Sequence, residues 1–170
     1  GDPGAVLVET ALRERMDQQL EMIFRLLGLR YPQRDIYFAY AALKGTQPAK
    51  RASAIEFLDN ILRKDVKTVI LPLLEEESQE RLLGWAVRLF HIRIPDRAGA
   101  LGALVEQPDP WLRACALHAA GAARIAALEP FCRAALGDAD IRVRETAEWA
   151  LGRLSGNEPP GARPDAGSGI

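Results

Sequence analysis

Cys115 and His118 are the residues of this chain whose types and spacing come closest to a catalytic arrangement. Three positions apart on a helix, they would share one face, where an imidazole could take the thiol proton and leave a nucleophilic thiolate. The helical pattern described below favours another interpretation, because it places Cys115 and Cys132 at positions held mostly by small or apolar residues. We therefore predict that both thiols pack in a core and that the protein is not an enzyme.

The chain offers little that could bind a metal, a cofactor or a phosphate group. Its candidate metal ligands are few and scattered: Cys115, Cys132, His91 and His118. They form neither a close C-x-x-C pair nor an H-E-x-x-H motif, so we predict no metal site. Gly99 and Gly102 stand inside an Ala/Leu helical pattern rather than after a strand, which argues against a phosphate loop. The sequence therefore predicts no cofactor.

Arginines recur at a fixed spacing that could serve either binding or packing. Arg51, Arg113 and Arg144 lie at whole multiples of one interval from one another and could form a ladder of positive charge. In a stack of helices, the alternative is that each guanidinium pairs with carboxylates of neighbouring turns, such as Asp109 and Asp140. We favour this pairing, which contributes modest energy where it is exposed.

Composition excludes several classes of protein. With 48% hydrophobic and 26% charged residues, the chain is typical of a folded globular domain. A net charge of -1 gives no general excess of positive charge for nucleic acid, which we do not expect as a partner. Two cysteines make no disulfide framework, which indicates a reducing compartment and predicts a cytoplasmic location. No apolar run approaches the roughly 18 residues of a membrane span, so we expect no direct membrane insertion of this fragment.

Local charge runs have a similarly plain interpretation. The acidic run Glu75–Glu77, with Glu80 beyond it, could hold a cation or a basic partner. A solvated turn between two helical hairpins is the alternative, and we favour it.

A repeat with a period of about 31 residues runs through the chain. It becomes visible when five residues are aligned in one column: Leu20, Arg51, Leu82, Arg113 and Arg144. Positions three and seven residues after the column are apolar in every row, as on one face of an α-helix. These positions hold Ile23, Ala54, Trp85, Ala116 and Ala147, then Leu27, Leu58, Leu89, Ala120 and Leu151. Four residues before the column stand Gln47, Ser78, Asp109 and Asp140, of which the last three are good N-cap residues.

A second helix follows in each period. Apolar pairs recur at the eighteenth and nineteenth positions after the column, at Phe38-Ala39, Val69-Ile70, Ala100-Leu101 and Phe131-Cys132. Further pairs occupy the twenty-second and twenty-third positions, at Ala42-Leu43, Leu73-Leu74, Leu104-Val105 and Ala135-Leu136. The spacing predicts a second apolar helical face, and breakers such as Pro32 and Pro95-Asp96 predict short turns between the two helices.

A single hairpin of this kind cannot bury both of its faces, whereas stacked hairpins can. The sequence therefore predicts an all-α fold, a right-handed α-solenoid of stacked antiparallel helical hairpins over residues 1–155. We expect a capping helix at 5–29, repeats at about 16–46, 47–77, 78–108 and 109–139, and a partial repeat at 140–155. Residues 156–170 are rich in Gly and Pro and predict a flexible linker, which we expect to lead to another domain.

Two segments resemble HEAT repeats: Asp109–Ala114 (DPWLRA) and Asp140–Ala147 (DIRVRETA). Each has an Asp, a variable pair, an apolar residue and an Arg at the start of an Ala-rich helix. The period is shorter than the ~40–47 residues of ordinary HEAT or armadillo units, and it looks more like the short variant found in phycobilisome lyases. The resemblance implies a non-enzymatic scaffold that binds a protein or peptide, as a regulatory domain of a larger protein. Activity of the bilin-lyase kind is an alternative.

A narrower resemblance involves Arg51–Leu62, followed by Leu71–Leu74 (LPLL). These segments are similar to the HEAT segment of bacterial multidomain proteins that carry an ATP/ADP-carrier-like membrane region. This resemblance implies a cytosolic appendage of a transporter, tethered to the membrane through domains outside this chain, with another domain of the same chain as its partner.

A partner surface is predicted where the second helices would line the concave side of the solenoid. The residues expected there are Tyr37, Tyr40, Lys44, Thr68, Leu71 and Arg133, with Trp111 as an additional anchor. Gly99 and Gly102 would leave the middle of this surface small-sided. The alternative is that Tyr37 and Tyr40 cover the edge of the first repeats and that Trp111 caps a neighbouring unit.

Overall fold

The computed structural model describes residues 3–75 and 79–156, and all regular structure within these ranges is helical. The helices are α1 (Pro3–Arg30), α2 (Gln33–Lys44), α3 (Pro48–Ile61), α4 (Lys64–Leu74), α5 (Gln79–Phe90), α6 (Arg97–Val105), α7 (Pro110–Ala122), α8 (Glu129–Ala135) and α9 (Ile141–Leu154). A short 3₁₀ turn, Ala126–Leu128, precedes α8. The all-α prediction is confirmed for this part of the chain. Glu76, Glu77, the predicted cap Ser78 and linker residues 157–170 lie outside the described residues.

The period of the sequence is visible in the helix boundaries. Helices α3, α5, α7 and α9 begin at Pro48, Gln79, Pro110 and Ile141, and the interval from each start to the next is constant. Pro48 and Pro110 occupy the first turn, where a missing N–H costs no helical hydrogen bond. Each first helix therefore starts at the same point of the repeat.

Aspartates are the N-cap residues of helices α6, α7 and α9. The carboxylate of Asp109 accepts hydrogen bonds from the backbone N–H of Trp111 and Leu112, and that of Asp140 accepts from Arg142. Asp96 caps α6 in the same way. These bonds satisfy N–H groups that have no partner within the helix.

The chain divides into two compact units, and α1 contributes to both. Unit A comprises Met16–Arg93, and unit B comprises Gly1–Arg15 together with Ile94–Ile170. The core of unit A consists of the buried residues Phe24, Leu27, Ile36, Ala39, Leu43, Ala54, Leu58, Leu62, Ile70 and Leu74. Large side chains from the second half of α1 and from α2, α3 and α4 therefore fill this core.

Unit B is centred on α7, which is apolar on nearly every side. Eight of its residues are buried: Leu112, Ala114, Cys115, Ala116, Leu117, Ala119, Ala120 and Gly121. A Cβ at Gly121 would lie 2.8 Å from the Cα of Ala150, so the absence of a side chain lets α7 and α9 approach closely. A helix that is apolar all round is a buried helix, and α7 fits that description.

The arginines of the repeat column, Arg51, Arg113 and Arg144, form hydrogen bonds to helix ends and turns. Arg51 donates to the carbonyl oxygens of Leu43 and Leu74 at 2.9 and 2.6 Å. Arg113 donates to two carbonyl oxygens of the preceding turn and forms an ion pair of 2.9 Å with Asp138. Helix termini supply acceptors because their last carbonyls lack helical partners.

Arg144 follows the same rule. It donates to the carbonyl oxygens of Asp138 and Ala139 at 2.7 and 3.0 Å. The expected pairing with carboxylates of neighbouring turns therefore holds for Arg113, whose partner is Asp138. The two example partners, Asp109 and Asp140, instead cap helices.

The second-helix stripe is narrower than the sequence predicts. The second members of the first set of apolar pairs are all buried: Ala39, Ile70, Leu101 and Cys132. The first members are not, and Phe38 is 56% exposed. Leu73 and Leu136 are also exposed. Adjacent helical residues point about 100° apart, so a helix packed on one side buries only one member of each pair.

Candidate functional site

An apolar groove of about 440 Å³ lies in unit A between the second half of α1 and α2. Its lining residues are Glu21, Phe24, Arg25, Gly28, Leu29, Gln33, Ile36, Tyr37 and Tyr40. Leu29 is 84% exposed and Tyr37 is 67% exposed, which leaves two large apolar side chains at the rim. We call this feature the α1–α2 groove. Concave surfaces with aromatic walls and few polar groups are typical of binding sites.

Two residues predicted to bind a partner, Tyr37 and Tyr40, both line this groove. Tyr40 is half-buried and its ring lies 5.0 Å from that of Phe24, so it forms part of the groove wall and of the packing beneath. The centroid of the Tyr37 ring lies 6.1 Å from that of the Phe38 ring in an edge-to-face arrangement. Most of Tyr37 is exposed to solvent. Tyr37 is thus available to a partner, whereas Tyr40 also packs against the core of unit A.

The charged residues at the groove compensate one another. Arg25 donates to the Glu21 carboxylate at 2.6 Å, one helical turn away on α1. Both side chains are largely exposed, so this pair contributes little to stability. The groove therefore presents a mainly apolar surface with a balanced charged rim.

Three further predicted residues of unit A lie outside the lining of the groove. The Lys44 ammonium pairs with Asp17 at 3.0 Å. Thr68 is exposed, and its hydroxyl donates to the Lys64 carbonyl at 2.7 Å. Leu71 is half-buried against the core of unit A. Each of these three side chains therefore makes a contact within unit A.

Trp111 and Arg133 belong to unit B. Trp111 stands at the start of α7 and is 45% exposed. The Arg133 guanidinium donates twice to Glu129, at 3.0 and 2.6 Å, and remains exposed. A surface that combines these residues with the tyrosines stays a prediction. Gly102, expected on that surface, is buried, and a Cβ there would lie 3.1 Å from the Phe131 ring.

A second groove, which we call the α2–α3 groove, is not predicted from the sequence. It lies between α2 and α3 in unit A, has a volume of about 440 Å³, and is lined by Asp35, Phe38, Ala39, Ala42, Ala49, Lys50, Ser53, Ala54 and Phe57. The sequence predicts Phe38 in the core, but it forms this groove's rim, with the Arg34 guanidinium 5.4 Å from its ring centre. The sequence carries no signal that separates Phe38 from its buried neighbour Ala39, because both are apolar.

Burial disfavours thiolate chemistry at both cysteines. Cys115 is 1% exposed, and burial, together with the charges of Asp109 and Glu14, raises its pKa to about 11. Burial also raises the pKa of Cys132. The His118 ring stacks on Trp149 with centres 4.7 Å apart and planes 5° from parallel. These surroundings keep the thiols protonated and are those of packing residues.

Among the described residues, no three His, Cys, Asp or Glu side chains come together as metal donors. Within residues 3–75 and 79–156, no helix combines the length and the apolar character needed to cross a membrane. Comparison with known proteins gives no match to a family model, to a curated protein or to a solved structure.

Proposed function

We propose that this chain is a non-enzymatic helical-repeat scaffold, a right-handed HEAT-like α-solenoid whose α1–α2 groove binds a peptide segment of a protein partner. The repeat architecture is supported by first helices that start at one constant interval and by the packing of consecutive first helices α7 and α9. Repeat stacks of this kind present extended surfaces to their partners. The partner can equally be another domain of the same protein.

The observation that carries the proposal is the exposed aromatic wall of the α1–α2 groove. Tyr37 and Leu29 expose apolar surface at its rim, while Phe24 and Ile36 form a buried floor. Exposed aromatic side chains beside an apolar floor are typical anchors for a partner. Since the charged rim residues Glu21 and Arg25 neutralise each other, the ligand that fits best is a largely apolar segment without a strong net charge.

A peptide library panned against the full chain, followed by anisotropy titration of the selected peptides, tests the proposal. Tyr37→Ala is the informative variant because its exposed ring contributes little to the core. Loss of an aromatic anchor costs about 2 kcal/mol, so binding should weaken by roughly 30-fold. Phe38→Ala is the matched control, since this adjacent aromatic residue lines the α2–α3 groove instead.

The two variants distinguish the grooves. Weaker binding in Tyr37→Ala with unchanged binding in Phe38→Ala supports the α1–α2 groove. The reverse pattern would move the site to the α2–α3 groove. Arg133→Ala reports whether unit B shares the surface. If neither aromatic variant changes the affinity of any selected peptide, the groove assignment is wrong.

A further inference from the structure

The first half of α1 packs on the rest of unit B through a narrow stripe of residues. Gly4, Val8, Ala11 and Arg15 stand at i, i+4, i+7 and i+11, and therefore on one helical face. Val8 and Ala11 are buried, and a Cβ at Gly4 would lie 2.8 Å from the Cα of Ala119 on α7. We call residues 4–15 the docking segment.

The surface beneath this segment is a groove with walls from three elements. It is formed by Leu101 of α6, by Leu112, Cys115, Ala116, Ala119 and Ala120 of α7, and by Leu128 of the 3₁₀ turn. Small residues dominate on α7, which lets another helix approach closely. At one end Asp109 faces Arg15, with 3.7 Å between Oδ2 and Nη1. The groove, which we call the α6–α7 groove, therefore has an apolar floor and an acidic end, and the docking segment complements both.

Contacts outside the docking segment also hold the helices around the α6–α7 groove. Asp109 caps α7, the ion pair of Arg113 and Asp138 fastens the turn after α8, and Gly121 packs α7 on α9. None of these contacts involves residues 4–15. Because these contacts do not depend on the docking segment, they can persist when another helix takes its place.

The docking segment itself is held lightly. Leu7 and Leu12 are only partly buried beside the buried positions Gly4, Val8 and Ala11. The ion pair of Arg15 is long and partly exposed, so it adds little. All side chains from Arg13 to Gln19 are exposed, so this stretch of α1 has no burial to support it. Such a segment belongs to the low-stability end of a fold.

We propose that the docking segment is an internal pseudo-ligand, and that the α6–α7 groove accepts in its place an amphipathic helix of a partner protein. That helix carries a small residue, a branched apolar residue, a small residue and an Arg or Lys at i, i+4, i+7 and i+11. The site is distinct from the α1–α2 groove, and the proposal does not depend on peptide binding there. A tethered segment acts at high effective concentration, so the partner competes with it and the groove opens only to a helix of matching pattern.

Alkylation of the two cysteines by iodoacetamide, mapped by mass spectrometry on the full chain, tests the proposal. Cys115 lies in the groove floor, whereas Cys132 lies in the separate core shared with α9 and reports on general unfolding. Release of the segment uncovers Cys115 and removes the nearby charge of Glu14, and both changes speed its reaction.

Val8→Asp is the variant that releases the segment, because a charged side chain is costly at this buried position. Val6→Asp is the matched control, because Val6 is 57% exposed on the outer face of the same turn. We expect Val8→Asp to react at least tenfold faster at Cys115 with Cys132 unchanged, and Val6→Asp to behave like the unmodified chain. A synthetic peptide of residues 3–15 in excess should protect Cys115 of Val8→Asp again, and the peptide with Asp at position 8 should not.

Four results would overturn the proposal. Equal acceleration at both cysteines would mean that Val8 simply supports the fold of unit B. No acceleration at Cys115, or no protection by the added peptide, would mean that the groove is not an exchangeable site. Protection of Cys115 in the unmodified chain that is lost on dilution, together with a dimer in sedimentation, would replace the partner helix with a second copy of this chain.

Discussion

Units A and B build their cores on the same repeat register with side chains of different size. Unit A uses large residues such as Phe24, Leu43 and Leu58, whereas α7 of unit B uses mostly alanines and a glycine. The residues that precede α2, α3 and α4 in unit A make no side-chain cap, while Asp96, Asp109 and Asp140 cap helices in unit B. One periodic pattern therefore supports two kinds of helix packing. In unit A large side chains fill the space between helices, whereas on α7 of unit B small side chains let neighbouring helices approach closely.

The difference has an energetic consequence. A core of large side chains is vulnerable to loss of volume, because truncation removes buried area and leaves a cavity. A core of small side chains is vulnerable to added volume, since the helix backbones already lie close together. The two units should therefore respond to opposite kinds of substitution.

The largest effect is expected from Leu58→Ala in unit A. Leu58 is fully buried, and truncating such a residue costs about 3 kcal/mol of unfolding free energy. Urea denaturation of the variant and the unmodified chain measures this loss. Leu26→Ala removes the same atoms from an exposed position of α1 and should change the free energy little. Equal losses in the two variants would show that unit A does not depend on the volume of its core.

A smaller loss is expected from Gly121→Ala in unit B. The added Cβ would meet the Cα of Ala150 and the ring of Trp149 at 2.8 Å, so α7 and α9 must move apart. Overpacking costs about 2 kcal/mol, partly offset by the helix preference of Ala. Gly84→Ala is the matched helical control, because its nearest contact is the end of the Arg88 side chain at 3.5 Å. That control should gain up to about 1 kcal/mol, and a gain of this size in Gly121→Ala would contradict close packing.

The smallest effect concerns acid. Hydrogen bonds from Arg113 and from the Asp140 backbone lower the pKa of Asp138 below its ordinary value of 3.8, and the Arg142 guanidinium lowers that of Asp140 to about 2. The unfolded chain then takes up these protons at higher pH than the folded chain. Their contribution to stability is therefore complete above about pH 4 and is lost as the pH falls through the folded-state values.

Thermal unfolding followed by tryptophan fluorescence from about pH 5 to pH 2 measures this dependence. Asp138→Asn keeps an acceptor oxygen for Arg113 but cannot gain a proton, so its unfolding midpoint should fall less steeply with acid. If the two slopes are the same, the ion pair between Arg113 and Asp138 does not set the acid response.

Much of the helical framework could be predicted from sequence because its signals are local. The prolines Pro48 and Pro110 and the capping residues Asp109 and Asp140 mark helix starts that the structure reproduces. Exposure within an apolar pair was not predictable, as Phe38 shows, because both members are compatible with a core.

The division of α1 between two units also had no local signal. Val8 and Phe24 belong to one continuous helix, yet they pack in different cores. Helical periodicity predicts which face of a helix is buried, but it does not predict which element packs on that face. For the candidate site, Tyr37 and Tyr40 followed from their position on the second helix, whereas the contribution of Leu29 depends on tertiary packing.

Hydrogen–deuterium exchange at peptide resolution, on the full chain and on Leu58→Ala and Gly121→Ala, tests most directly that one repeat register supports two units that unfold separately. We predict faster amide exchange confined to the second half of α1 and to α2, α3 and α4 in Leu58→Ala, and confined to α7, α8 and α9 in Gly121→Ala. Acceleration spread evenly over both units in either variant would show a single cooperative core and would contradict this account.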